Sequence, residues 1–197
     1  EVTPTDRAEI AFRRGVTKLQ EGRANAAELD FRDALKQDPS HIAALQALLG
    51  LLLDSGRNND AEQLLRKALE LNPRQPRHAM VLARLEVERG ELTGAINTMV
   101  GALPYVKSDP DFYAFLAALL QREGRHREAV DYYRAALRGV PGNGVWMMGL
   151  GISLRAANQS AEARDAFQRA IESKQLAPDL REFVERQLRE LSAQKKK

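Results

Sequence analysis

Histidines His41, His78 and His126 are the side chains of this chain most able to ligate a metal or act as general bases. They are far apart and fall in predicted turns or at early helix positions, so they are expected to be solvent-exposed turn residues. There is no cysteine, which removes disulfides, thiolate zinc sites and a cysteine nucleophile. The carboxylates are spread over predicted helix surfaces in alternation with arginine, the pattern of a solvated, ion-paired face. Gly142-Asn143-Gly144 is the nearest approach to a phosphate-binding loop, but no strand precedes it and no fingerprint continues it. No catalytic constellation, metal site or cofactor site emerges, and the chain is expected not to be an enzyme. The lone tryptophan, Trp146, is expected to pack between repeats rather than offer a stacking platform.

Composition narrows the classes further. The 197 residues are 44% hydrophobic and 29% charged, enough to bury a core and too apolar for a disordered chain. The formal charge is +3, but Lys195, Lys196 and Lys197 supply it, leaving 27 basic against 27 acidic residues. The body is neutral, which argues against a nucleic-acid partner. No run approaches about 18 consecutive apolar residues, so no direct membrane insertion of this chain is expected. The chain starts at Glu1 rather than Met, from which the removal of something upstream is expected, and the sequence does not say whether it was a targeting or anchoring segment.

The elements follow from an internal period. Gly22, Gly56, Gly90 and Gly124 are each 34 residues apart, and Asn158 continues the series. Ala27, Ala61, Ala95, Ala129 and Ala163 keep the interval, as do Ala34, Ala68, Ala102, Ala136 and Ala170. Between them stand Phe31, Leu65, Met99, Tyr133 and Phe167. The glycine separates two helical patterns, where the turn needs positive φ; asparagine tolerates that region best among the other residues. Alanines seven apart share one face of the second helix and let its neighbours approach, while the bulky residue fills the adjoining space. Pro39, Pro73 and Pro141 end second helices. The third repeat instead carries Pro104, which predicts a stop near Leu103 and a longer connection through Asp109. The fifth has Gln175 at the proline position, so its helix end is less defined.

On Gly15, Gly22, Ala27, Phe31, Ala34 and Pro39, the segment 8–41 resembles the tetratricopeptide repeat family. The resemblance covers almost the whole chain. It implies an all-α, right-handed superhelical solenoid of five repeats (8–41, 42–75, 76–109, 110–143, 144–177), after a lead-in over 1–7. A capping helix is expected over 178–194, built on Leu180, Phe183, Val184, Leu188 and Leu191, with a capping box of Asp179 and Glu182. A basic tail, 195–197, follows. At the other end Arg14 stands where later repeats have Leu48, Leu82, Leu116 and Leu150, the polar change expected of a terminal repeat.

In this family the first helix of each repeat lines the concave surface, so the resemblance also implies a protein or peptide segment as partner. By register the candidate groove comprises Phe12, Val16, Gln46, Gly50, Leu53, Met80, Arg84, Val87, Ala118, Arg122, Met148, Ile152 and Arg155. Apolar residues with scattered arginines suit an amphipathic helix or an extended apolar peptide with acidic flanks. Chaperone-binding members hold a terminal carboxylate with Lys, Asn and Arg. The matching places here are Phe12, Val16, Ala47, Arg77 and Val81, of which only Arg77 is basic.

A narrower resemblance lies in 145–191. Trp146 precedes Gly149-Leu150-Gly151-Ile152-Ser153-Leu154, and Ala161-Glu162-Ala163, Phe183-Val184-Glu185 and Gln187-Leu188 follow. This run is similar to the C-terminal part of the tetratricopeptide protein of mannose-sensitive haemagglutinin-type (type IV) pilus biogenesis. That would imply an inner-membrane anchor and a periplasmic repeat domain serving pilus or secretion-machine assembly. A cytoplasmic adaptor or co-chaperone, and the regulatory array of a larger enzyme, stand as alternatives. One sequence sets neither the partner's identity nor the oligomeric state.

Overall fold

A computed structural model describes residues 2–194. Those residues form eleven α-helices and one 3-10 turn, an all-α helix–turn–helix solenoid. The first helices of the repeats are α1 (Pro4–Gln20), α3 (Ile42–Asp54), α5 (Pro76–Glu88), α7 (Pro110–Arg122) and α9 (Gly144–Ala156). The second helices are α2 (Ala24–Gln37), α4 (Asn58–Leu71), α6 (Leu92–Ala102), α8 (His126–Gly139) and α10 (Ser160–Glu172). The last helix, α11 (Pro178–Gln194), starts 34 residues after α9, in the register of a sixth first helix. Helix α1 begins ahead of Ala8, so residues 4–7 of the expected lead-in are helical. The expected basic tail lies outside the described residues.

Each joint has a local cause. Gly22, Gly56, Gly90 and Gly124 take φ of +74°, +69°, +83° and +82°, and Asn158 takes +63°. The chain then folds back onto the helix it has left: Arg23 N–H donates to Lys18 O at 2.8 Å and Arg57 N–H to Leu52 O at 2.8 Å. Such bonds satisfy carbonyls that a helix end leaves orphaned. Three first helices, α3, α7 and α9, are capped by side chains at one repeat position. Ala44 N–H donates to His41 Nδ1, Phe112 N–H to Asp109 Oδ1 and Trp146 N–H to Asn143 Oδ1, each at 3.0–3.1 Å. Helix α1 has a capping box, Thr3 with Asp6.

Helix α6 stops at Ala102, and the 3-10 turn Leu103–Tyr105 carries Pro104, as the sequence predicts. In the fifth repeat α10 ends at Glu172, with Lys174 at φ +57°. The expected capping box of Asp179 and Glu182 does not stand at the start of the last helix. Helix α11 begins at Pro178, with Arg181 N–H donating to Ala177 O, so Asp179 falls inside its first turn. There it complements the helix dipole instead of capping.

The helices group into two compact units, Glu1–Glu88 and Arg89–Lys197. In the first, α1 packs on α2, α2 on α3, α3 on α4 and α4 on α5. In the second the same succession runs from α6 to α11. Both cores use the repeating residues. Ala27, Ala61, Ala95, Ala129 and Ala163 are wholly buried, and so are Phe31, Leu65, Met99 and Phe167. Each of those large side chains contributes on the order of 1.5–3 kcal/mol by leaving water. The first-repeat substitution is explained as well: Arg14 pairs with Asp30 at 2.5 Å and Asp33 at 3.3 Å, where its leucine counterparts are buried.

Candidate peptide-binding groove

The first helices present buried and accessible positions at fixed places in the repeat. Gly15, Leu49, Ala83, Ala117 and Gly151 are buried in every repeat. Their immediate successors, Val16, Gly50, Arg84, Ala118 and Ile152, are half-buried or exposed in every repeat. Three residues on, Leu19, Leu53, Val87, Gln121 and Arg155 are also accessible. Residues three apart adjoin on a helix, so each first helix offers a narrow accessible stripe beside its core face.

In the first unit that stripe is mainly apolar. Phe12, Val16 and Leu53 are half-buried and pack against the core cluster of Phe31, Leu48, Leu52 and Leu65. The Phe12 ring lies 5.8 Å from Phe31 and 5.2 Å from His41. Gly50 leaves an opening: a Cβ placed on it would meet nothing within 4 Å. Gln46 and Arg84 are exposed and Val87 is half-buried. Met80 departs from expectation. It is only 8% exposed, because α5 buries Met80 together with Ala79 and Ala83, so it cannot offer the adaptable contact its residue type promised.

In the second unit Ala118 and Arg122 are exposed, while Met148 and Ile152 are half-buried. Arg155 is committed within the chain. Its Nη1 contacts Gln187 and reaches Glu190 at 2.8 Å, joining α9 to α11. The sequence could have shown this, since Glu190 extends the repeat register into α11.

A polar network that residue types alone did not reveal supports the second-unit stripe from beneath. Gln121 Nε2 donates to Gly149 O at 2.8 Å and to Ser153 Oγ at 2.7 Å; Tyr133 OH donates to Gln121 Oε1 at 3.3 Å. Ser153 is fully buried, so this network satisfies groups that would be costly unpaired. Burial pushes the Tyr133 phenol up to about 12, so the hydroxyl stays a donor.

The histidines are not the exposed turn residues expected. The His41 side chain is 11% exposed: Nδ1 caps α3, and Nε2 donates to Glu9 at 3.2 Å. Those two bonds require the neutral ring with its proton on Nε2. Hydrogen bonds from Arg13 and His41 hold the Glu9 carboxyl below its usual range. Burial lowers the basicity of His78. Trp146 is half-buried. No group of three or more His, Cys, Asp or Glu able to hold a metal occurs among the described residues. No described helix is long and apolar enough to cross a membrane.

Family models described as tetratricopeptide repeat match residues 18–85 and 52–119, and a second such model matches 116–180. No curated protein sequence matches significantly. Among solved structures, the chain is similar to MamA at 23% identity and a TM-score of 0.71, covering 87% of this chain and 97% of that one. MamA from Desulfovibrio magneticus RS-1 superposes at 0.66 and 14% identity, over 86% of this chain and 96% of that one. YrrB, described as a TPR protein with an unusual peptide-binding site, superposes at 0.73 and 16% identity, over 89% and 90%.

Proposed function

This chain belongs to the tetratricopeptide repeat family, and on that premise we propose that it is a non-catalytic scaffold holding a partner protein segment along its first helices. The observation that carries the reading is the accessible stripe of Val16, Gly50, Arg84, Ala118 and Ile152, kept at one register position through five repeats whose preceding residue is always buried. A packed core does not require that stripe to be largely apolar. Half-buried Phe12, Leu53 and Met148 beside it give an incoming apolar side chain something to cover. Exposed Arg122 suits an acidic flank on the bound segment.

The finer reading is that the scaffold serves assembly of a type IV pilus of the mannose-sensitive haemagglutinin type, or of related secretion machinery, from the periplasmic side of the inner membrane. Its support is the resemblance of 145–191, where Gly149 and Gly151 turn out to be close-packing positions against Tyr133 and Phe167. Affinity capture from native envelope and soluble extracts tests both levels. A pilus or secretion component in the envelope fraction supports the finer reading. Soluble chaperones or enzymes alone would replace it with the adaptor. Recovery of no protein partner from either fraction would remove the scaffold reading.

A further inference from the structure

We propose that the cleft between α2 and α4 of the first unit, floored by α3, is a second docking site, taking a short segment with large aliphatic side chains and flanking carboxylates. The cleft encloses about 450 Å³, within the range of ~300–1,000 Å³ of sites that bury a ligand. Its floor is Leu45 and Leu48, with half-buried Leu35 and Leu64 on the two walls. One exposed leucine extends it outward. Leu71, at one lip, is 59% exposed.

Charge selects the occupant. Four ionic groups line the mouth. Two are already neutralised: Arg32 pairs with Glu28 at 2.8 Å, and Asp60 with Arg57 at 2.5 Å. Lys36 on α2 and Lys67 on α4 are exposed, and no carboxylate lies within ion-pair distance of either among the described residues. A leucine-lined cleft between two unpaired ammonium groups complements an aliphatic segment with carboxylates at both ends.

The repeat frame does not impose this chemistry. The equivalent cleft in the second unit, between α8 and α10 over α9, lies 102 residues further along, three times the 34-residue period. There Ala166 replaces Leu64 and Ser173 replaces Leu71. Arg134 pairs with Glu162 at 2.5 Å, and Arg169 lies 4.0 Å from Asp165. Both clefts thus carry ion pairs and keep a basic residue at the Lys36 and Lys67 positions, Arg138 and Arg169 in the second, and what sets the first apart is its leucines.

The test uses the full isotope-labelled chain and a fluorescein-labelled octapeptide with two central leucines flanked by glutamates, beside the same peptide with lysines for glutamates. Saturable amide shifts from the glutamate peptide should cluster on residues 32–48 and 60–71. The double variant Lys36→Glu, Lys67→Glu should bind it at least tenfold more weakly, prefer the lysine peptide, and unfold at an unchanged midpoint. No saturable shift, shifts confined to Phe12, Val16 and Gly50, or equal affinity for the double variant would each overturn the proposal.

Discussion

Gly149 meets the ring of Tyr133 so closely that a Cβ added to the glycine would lie 2.4 Å from the tyrosine Cζ. The same tyrosine donates to Gln121, which in turn donates to the Gly149 carbonyl. Helices α7, α8 and α9 are therefore held together by a contact that tolerates no side chain. Gly149→Ala should destabilise the chain by ~1–3 kcal/mol through overpacking. Gly50→Ala is the counterpart. With open space at its Cβ, it should gain up to about 1 kcal/mol from helix propensity alone. Chemical denaturation of both variants checks the opposite signs.

The wholly buried alanine Ala129 marks close approach at the start of α8. Ala129→Leu should cost ~1–3 kcal/mol. An unchanged thermal midpoint would place the repeat register elsewhere.

His41 joins the first two repeats by capping α3 and bonding Glu9 on α1. His41→Ala should lose both bonds, at roughly 1–2 kcal/mol. His41→Asn retains a capping oxygen and should recover about half. Equal losses for the two would show that the ring's packing against Phe12, not its cap, matters.

Asp30, buried at the N-terminal end, carries the pH dependence. Burial alone would raise its carboxyl, but Lys18, 2.6 Å away, and Arg14 hold it below the ordinary range. A depressed folded-state pKa stabilises above the unfolded value of about 3.9 and ceases to do so as pH falls through the folded value. Wild-type stability should therefore drop more steeply on acidification below about pH 4 than that of Asp30→Asn. At neutral pH the variant should be weaker by about 1–2 kcal/mol, since Arg14 is half exposed and screened. Parallel acid slopes would assign the pH dependence to other carboxylates.

The glycine, alanine and bulky positions recurring every 34 residues were enough to place the helix pairs and turns, because each answers a need met inside one repeat. What the period could not show depends on contacts that only one repeat makes. Met80 is buried where Gln46 is exposed at the same position, Arg155 is taken up by Gln187 and Glu190, and His41 caps where Asp109 and Asn143 do so elsewhere. The leucines of the α2–α4 cleft escaped notice because Leu64 and Leu71 have no counterparts of their own kind in the other repeats. A search for similarity passes over such residues.

Photo-crosslinking in native extract asks whether the first-helix stripe holds the partner. A photoreactive phenylalanine analogue is placed at Gly50 or Ala118 in the stripe, or at exposed Gln168 on α10. A crosslinked protein is expected from positions 50 and 118 and none from 168. A partner crosslinked from position 168, with positions 50 and 118 silent, would contradict it.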